Sequence, residues 1–217
     1  MSNRRIKKHT GQKTMYPIKC KKELRKCFDW LEWQVNQATT QIKQKQAYRN
    51  LMFFMIGVNT ALRAEDLLQL RVKDVYKGVI SVKQNKNNKL KTQKFRNDVY
   101  EEIKKYIHLN DLKLNDYLFM GQKTKTTYKG ITTDVITPIT KQNALVILKG
   151  LARGVGIMYP FGIHSLRKTY AYHLFVETGN IASVCQALNH TDIKVTMRYI
   201  MWNNADAEDD INNFGLL

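Results

Sequence analysis

Residues 161–174 read FGIHSLRKTYAYHL, and residues 188–200 read LNHTDIKVTMRYI. Both have helical spacing, and between them they carry His164, Arg167, His190 and Tyr199. A third stretch, NTALRAEDLLQL at 59–70, contributes Arg63. Two arginines, two histidines and a tyrosine make a poor protease or metal site. They suit a phosphodiester, because the cations can hold its charged oxygens while a phenol attacks phosphorus. His164 and Arg167 are three positions apart at a helix start, so they share a face. Free backbone N–H groups there add to an anion site.

The helix carrying Tyr199 is read with Ile193, Met197, Ile200 and Met201 as its apolar stripe and Thr191 as its N-cap. At about 100° per residue, Tyr199 points roughly 140° from the centre of that stripe. It is therefore expected to face away from its own helix's core, as either a reachable nucleophile or a plain surface tyrosine. The preceding helix has Ile181, Val184, Cys185 and Leu188 on one stripe and ends at Asn189.

Outward from these stretches, the rest of the chain reads as mainly α with a small antiparallel β-sheet (α+β). Leu24, Cys27, Phe28, Leu31 and Val35 mark a first helix after Pro17. A second covers about 44–58 and a short one surrounds Arg63, with Leu67, Leu68 and Leu70 inward. Residues 76–98 read as a hairpin with a basic Asn/Lys turn. A helix near 98–108 and a short strand at 116–120 follow. The Thr/Lys/Gly-rich piece at 122–137 is a loop or a second small hairpin. Ala144, Leu148, Leu151 and Ala152 mark a helix closed by Gly154. The last three helices lie at about 165–178, 181–188 and 192–202.

Charge narrows the partner. Among 217 residues, 36 lysines and arginines face 18 acids, a formal net charge of +18. That surplus favours a polyanion, nucleic acid before a membrane surface. The first 26 residues hold ten basic side chains against Glu23 alone, and the last fifteen hold four acids and no base. Residues 1–20 are read as a basic flexible arm, 21–202 as one domain, and 203–217 as an acidic tail. Three scattered cysteines, Cys20, Cys27 and Cys185, give neither a disulfide framework nor a zinc site and point to a reducing compartment. The apolar run at 51–58 is too short to span a bilayer. No membrane partner and a cytoplasmic, nucleoid-associated location are expected. His9, His108 and His173 read as structural, with His173 packing near Thr169 and Tyr170.

In their order and spacing these stretches resemble the catalytic domain of the tyrosine recombinases, the phage integrase family, over roughly residues 17–202. TALRAEDLLQL resembles the family's first arginine box, with Asp66 at its acidic position. HSLRKTYAYHL resembles the H-x-x-R box, and ALNHTDIKVTMRY the box from the second histidine to the nucleophilic tyrosine. The resemblance implies a site-specific DNA recombinase of bacterial, phage or plasmid origin that needs no metal, ATP or other cofactor. Arg63 and Arg167 would bind the scissile phosphate, and His190 would donate to it. His164 would act as general base or orient the phosphate. Tyr199 would form a covalent 3′-phosphotyrosine. A lysine of the hairpin turn would protonate the leaving oxygen: Lys86 by spacing, with Lys83 and Lys89 as alternatives.

The resemblance makes 21–202 the catalytic domain and leaves the tail at 203–217 open to exchange between protomers. Double-stranded DNA, a tetramer on that DNA and accessory DNA-bending proteins are the partners implied. Two features depart from the family pattern. Asn189 stands where glycine is usual, and a basic arm of about 20 residues stands in place of a core-binding domain, as in short, catalytic-domain-only members. These departures keep open a DNA-binding accessory protein that no longer recombines. A type IB topoisomerase-like relaxing enzyme would use the same chemistry.

Overall fold

The computed structural model describes residues 14–83, 90–128, 131–202 and 212. Helices α1 (Lys21–Asn36) and α2 (Gln41–Asn59) pack together and lead to the five-residue α3 (Ala64–Leu68). A 3-10 segment, Val72–Gly78, introduces the antiparallel hairpin β1 (Val79–Lys83) and β2 (Leu90–Lys94). After α4 (Asn97–Leu109) comes a second antiparallel hairpin, β3 (Met120–Tyr128) and β4 (Ile131–Pro138). Four helices follow: α5 (Lys141–Val155), α6 (Ile163–Thr178), α7 (Ile181–Leu188) and α8 (Ile193–Ile200). The mainly helical reading with small antiparallel sheets holds, and 122–137 belongs to the second hairpin.

Three local expectations need correction. Residues 116–119 are not a strand, and only Met120, the first residue of β3, belongs to one. Tyr117 makes one isolated bridge to Arg71, while the Leu118 N–H donates to the Leu70 carbonyl at 2.7 Å and the Leu118 carbonyl accepts from the Tyr106 hydroxyl at 2.7 Å. The α5 helix passes through Gly154 and ends at Gly156, whose φ of 84° gives the left-handed turn that glycine adopts without strain. Gly154 instead lies against the Trp30 indole, where a Cβ would come within 2.2 Å of the ring.

The N-terminal boundary also moves. Residues 14–20 were expected within a mobile arm, yet Ile18 is fully buried and strapped to α6. Its N–H donates to Thr169 Oγ1 and its carbonyl meets His173 Nε2, each at 2.9 Å. The Tyr16 N–H donates to the Pro160 carbonyl. This gives His173 its structural role. Residues 1–13 of the expected arm and most of the expected tail lie outside the described residues.

Two apolar clusters organise the interior. The larger joins α1, α2, α4 and α5 through residues such as Phe53, Phe54, Ile103 and Leu148. The smaller gathers Ala61, Ala171, Val184, Leu188 and Ile200 around the last three helices. Helix α6 belongs to both, with Leu166 in the first and Ala171 in the second. Gly57 lets α2 approach α6 here; a Cβ at that position would sit 2.5 Å from Leu166 Cδ1.

Candidate active site

The junction of the two clusters is where the polar residues meet. Arg167 follows Leu166 on α6 and is only 5% exposed. Its guanidinium donates to the Ala61 carbonyl ahead of α3, and at 2.7 Å to the Leu188 carbonyl at the end of α7. The guanidinium also faces the Tyr199 hydroxyl on α8 and interacts with it electrostatically. With five N–H donors, Arg167 can hold three elements together and still present donors to an anion.

Each neighbour is placed by a local device. Arg63 is the extended residue just before α3 (φ −71°, ψ 157°). Glu65 and Asp66 sit in that helix's first turn, where carboxylates are favoured. Glu65 pairs with Lys141 at 2.6 Å on the surface, while Asp66 is buried beneath the cations. His164 is the second residue of α6, at the solvent rim one turn from Arg167. Partial burial and Arg167 hold its pKa below the ordinary histidine value, against a smaller pull from Glu65. Ser165 fastens the start of α6, its Oγ accepting from the Gly162 N–H at 3.1 Å.

His190 is set by a left-handed helix stop. Asn189 has φ 56° and ψ 42°, and asparagine is the best non-glycine residue for that conformation. The Asn189 N–H donates to the Gln186 carbonyl and the His190 N–H to the Cys185 carbonyl, a Schellman turn that closes α7 and turns His190 toward α8. The departure from glycine is therefore compatible with the turn. The His190 ring lies edge-on to Tyr199, with centroids 5.2 Å apart. Burial, then Arg167 and Arg63, lower the His190 pKa.

Tyr199 does not face away from its helix's core, as the wheel argument held. Ile193 is 54% exposed, and the buried positions of α8 are Thr196 and Ile200. Tyr199 is half-buried between them, turned toward Arg167, His190 and the buried Lys168, whose Nζ lies 5.0 Å from the ring centre. Burial raises the phenol's pKa, opposed by Arg167 and then Arg63. The N-cap is Asp192 rather than Thr191, its side chain accepting from the Lys194 N–H.

Of the expected residues, Arg63, Arg167, His190 and Tyr199 converge, and His164 stands at their edge. Lys86 and Lys89 lie outside the described residues, and Lys83 ends β1 as an exposed side chain. Sequence reading missed Lys91. This β2 lysine turns inward and donates to the Ala187 carbonyl at 2.8 Å, next to the Leu188 carbonyl held by Arg167. Burial, then Arg167 and Arg63, lower its pKa to about 7, with Asp66 opposing. The strand gave no usable signal: Lys91 and Gln93 share the inner face of β2, while its one apolar residue, Leu90, is exposed.

No described helix is long and apolar enough to cross a membrane. The model of the phage integrase family matches residues 31–205. Probable integrase/recombinase YoeC of Bacillus subtilis (strain 168) is 35% identical over 153 residues, 70% of this chain and 77% of that protein. The fold matches XerH site-specific recombinase bound to palindromic difH substrate in a post-cleavage complex, at TM-score 0.68 and 21% identity over 95% of this chain and 55% of XerH. It also matches the catalytic domain of bacteriophage HP1 integrase, at TM-score 0.56 and 16% identity, over 93% of this chain and 96% of that domain. The chain thus spans little more than half of XerH but nearly all of an isolated catalytic domain. By sequence and by fold, the chain belongs to the phage integrase family, the tyrosine recombinases.

Proposed function

We propose that this chain cuts and rejoins double-stranded DNA at specific sites through Tyr199. The observation that carries the reading is the phenol's position: it lies within the influence of Arg167 and Arg63, with the His190 ring edge-on to it. Arg63 and Arg167 clamp the non-bridging oxygens of one phosphate, and His190 adds a hydrogen bond. The clamp strengthens as charge builds in the pentacovalent transition state. Tyr199 Oη bonds to phosphorus and its proton passes to His164 or to solvent. The bond from phosphorus to the 5′-oxygen breaks, leaving a 3′-phosphotyrosine, and a lysine protonates that 5′-oxygen. Lys86 is assigned this last role by its spacing after Arg63 in the sequence, with Lys83 and Lys89 as alternatives. In the absence of DNA the raised phenol pKa keeps the nucleophile protonated, and an incoming phosphodiester takes over the Arg167 donor.

Recombination further calls for four protomers on two duplexes, with the basic N-terminal residues on the phosphate backbone and the acidic tail exchanged between neighbours. Accessory DNA-bending proteins fit the same scheme.

Nicked duplexes drawn from a randomised pool test the chemistry, because loss of the short fragment beside the nick traps the covalent state. Wild type should retain DNA through a denaturing wash and Tyr199→Phe should not. No adduct, or equal adduct with Tyr199→Phe, overturns the reading. The accessory-protein alternative draws support from one observation: Arg167 holds the Ala61 and Leu188 carbonyls, a task that survives loss of catalysis. The same assay separates the two.

A further inference from the structure

Thr196 is the one fully buried polar side chain of α8 among the described residues. Three partners converge on its Oγ1. The Asp192 carbonyl lies at 3.0 Å, His190 Nδ1 at 3.2 Å and Cys185 Sγ at 3.1 Å. A hydroxyl has one hydrogen to give and two lone pairs. The Asp192 carbonyl can only accept, so the hydroxyl hydrogen goes there, as is usual for a helical threonine bonded four residues back. Both lone pairs then accept, one from a ring N–H and one from the thiol S–H. In this assignment all three contacts are satisfied by one placement of hydrogens.

We infer that Thr196 is a positioning residue that holds His190 in its Nδ1–H form and leaves Nε2 as the nitrogen available to the site. Its catalytic meaning rests on the function proposed above, whereas the tautomer itself does not. With Nδ1–H committed to Thr196, the neutral ring offers only a lone pair at Nε2. Donation to a phosphate oxygen then requires the imidazolium. The charged and titratable groups around the ring are Arg167 from α6, Arg63 ahead of α3, Tyr199 from α8 and Cys185 from α7. Lys168 lies over Tyr199, and Lys91 reaches the end of α7 from β2. The two arginines disfavour the imidazolium until an anionic phosphodiester offsets them. Cleavage should therefore fall as pH rises through the His190 titration in the DNA complex.

The test is the imidazole nitrogen resonances of the DNA-free full chain with 15N-labelled histidine, His190 being assigned by its loss in His190→Gln. Above its titration, wild type and Thr196→Ser should show a protonated Nδ1 and a bare Nε2. Thr196→Val should move toward the Nε2–H form that free histidine prefers. In single-turnover cleavage below the His190 titration, Thr196→Val should be at least about tenfold slower, because the imidazolium loses the Thr196 acceptor that aims it. DNA affinity should be unchanged and the alkaline fall flattened, since a neutral Nε2–H can donate. Thr196→Ser should restore both. A bare Nδ1 in wild type, or the same tautomer in Thr196→Val, overturns the inference. The predicted tautomers with no adduct from any variant would uphold the positioning role and overturn the recombinase reading instead.

Discussion

Arg167 carries two duties that substitutions can separate. Its hydrogen bonds to the Ala61 and Leu188 carbonyls tie α6 to α3 and α7, and its contact with Tyr199 would serve the proposed chemistry. Arg167→Ala should destabilise the fold by roughly 1–3 kcal/mol for each buried carbonyl it abandons. Arg167→Lys keeps a charge but not the planar fork. It should slow cleavage about 100-fold or more while shifting DNA affinity only a few-fold, as single-turnover cleavage and filter binding would show. Lys91 makes a pH prediction. Its pKa falls from the ordinary lysine value to about 7 in the folded protein. Between about pH 7 and 10 the unfolded chain therefore binds more protons at this position, and stability rises with pH. The melting temperature of wild type should gain on that of Lys91→Met across this window; a constant gap would contradict the burial of the amine. Arg63, His164, Arg167, His190 and Tyr199 were legible as a set because their order and spacing survive in the chain. Lys91 was not, since nothing in a run of alternating lysines says which one turns inward.

At the scale of elements, the decisive feature is how α7 stops. Asn189 in the left-handed region delivers His190 to Tyr199. Asn189→Gly should leave stability within a few tenths of a kcal/mol and cleavage intact. Asn189→Val should cost about 1–2 kcal/mol, because a β-branched residue strains there, and should slow cleavage by displacing the ring. Thermal melts and cleavage rates check both. Helix positions and the first hairpin were readable from periodicity, and the α7 stop from a polar residue after an apolar run. The face of α8 was not readable. The wheel placed Ile193 in the core, whereas Thr196 is buried because its hydroxyl finds partners inside. A polar core residue with internal hydrogen bonds defeats a hydrophobic stripe. The segment 116–119 misled for a related reason: its apolar run is pinned at Leu118 by Leu70 and Tyr106 rather than by a strand.

For the whole molecule, the charge of +18 sets the terms of any encounter with DNA. Binding that releases counterions should weaken at least about tenfold between roughly 50 and 200 mM salt, read by fluorescence anisotropy on a labelled duplex. A flat response would remove the phosphate contacts from the account. The expected arm shows how far composition alone can reach. Basic residues suggested a free segment up to residue 20, but the hydrogen bonds that fix Ile18 come from Thr169 and His173, about 150 residues away in sequence. Long-range pairing of that kind leaves no local trace. The central claim concerns one oxygen atom, and peptide mapping of the trapped protein–DNA adduct by mass spectrometry tests it most directly. The account predicts a nucleotide joined through its 3′-phosphate to Tyr199; attachment at any other residue, or through a 5′-phosphate, would contradict it.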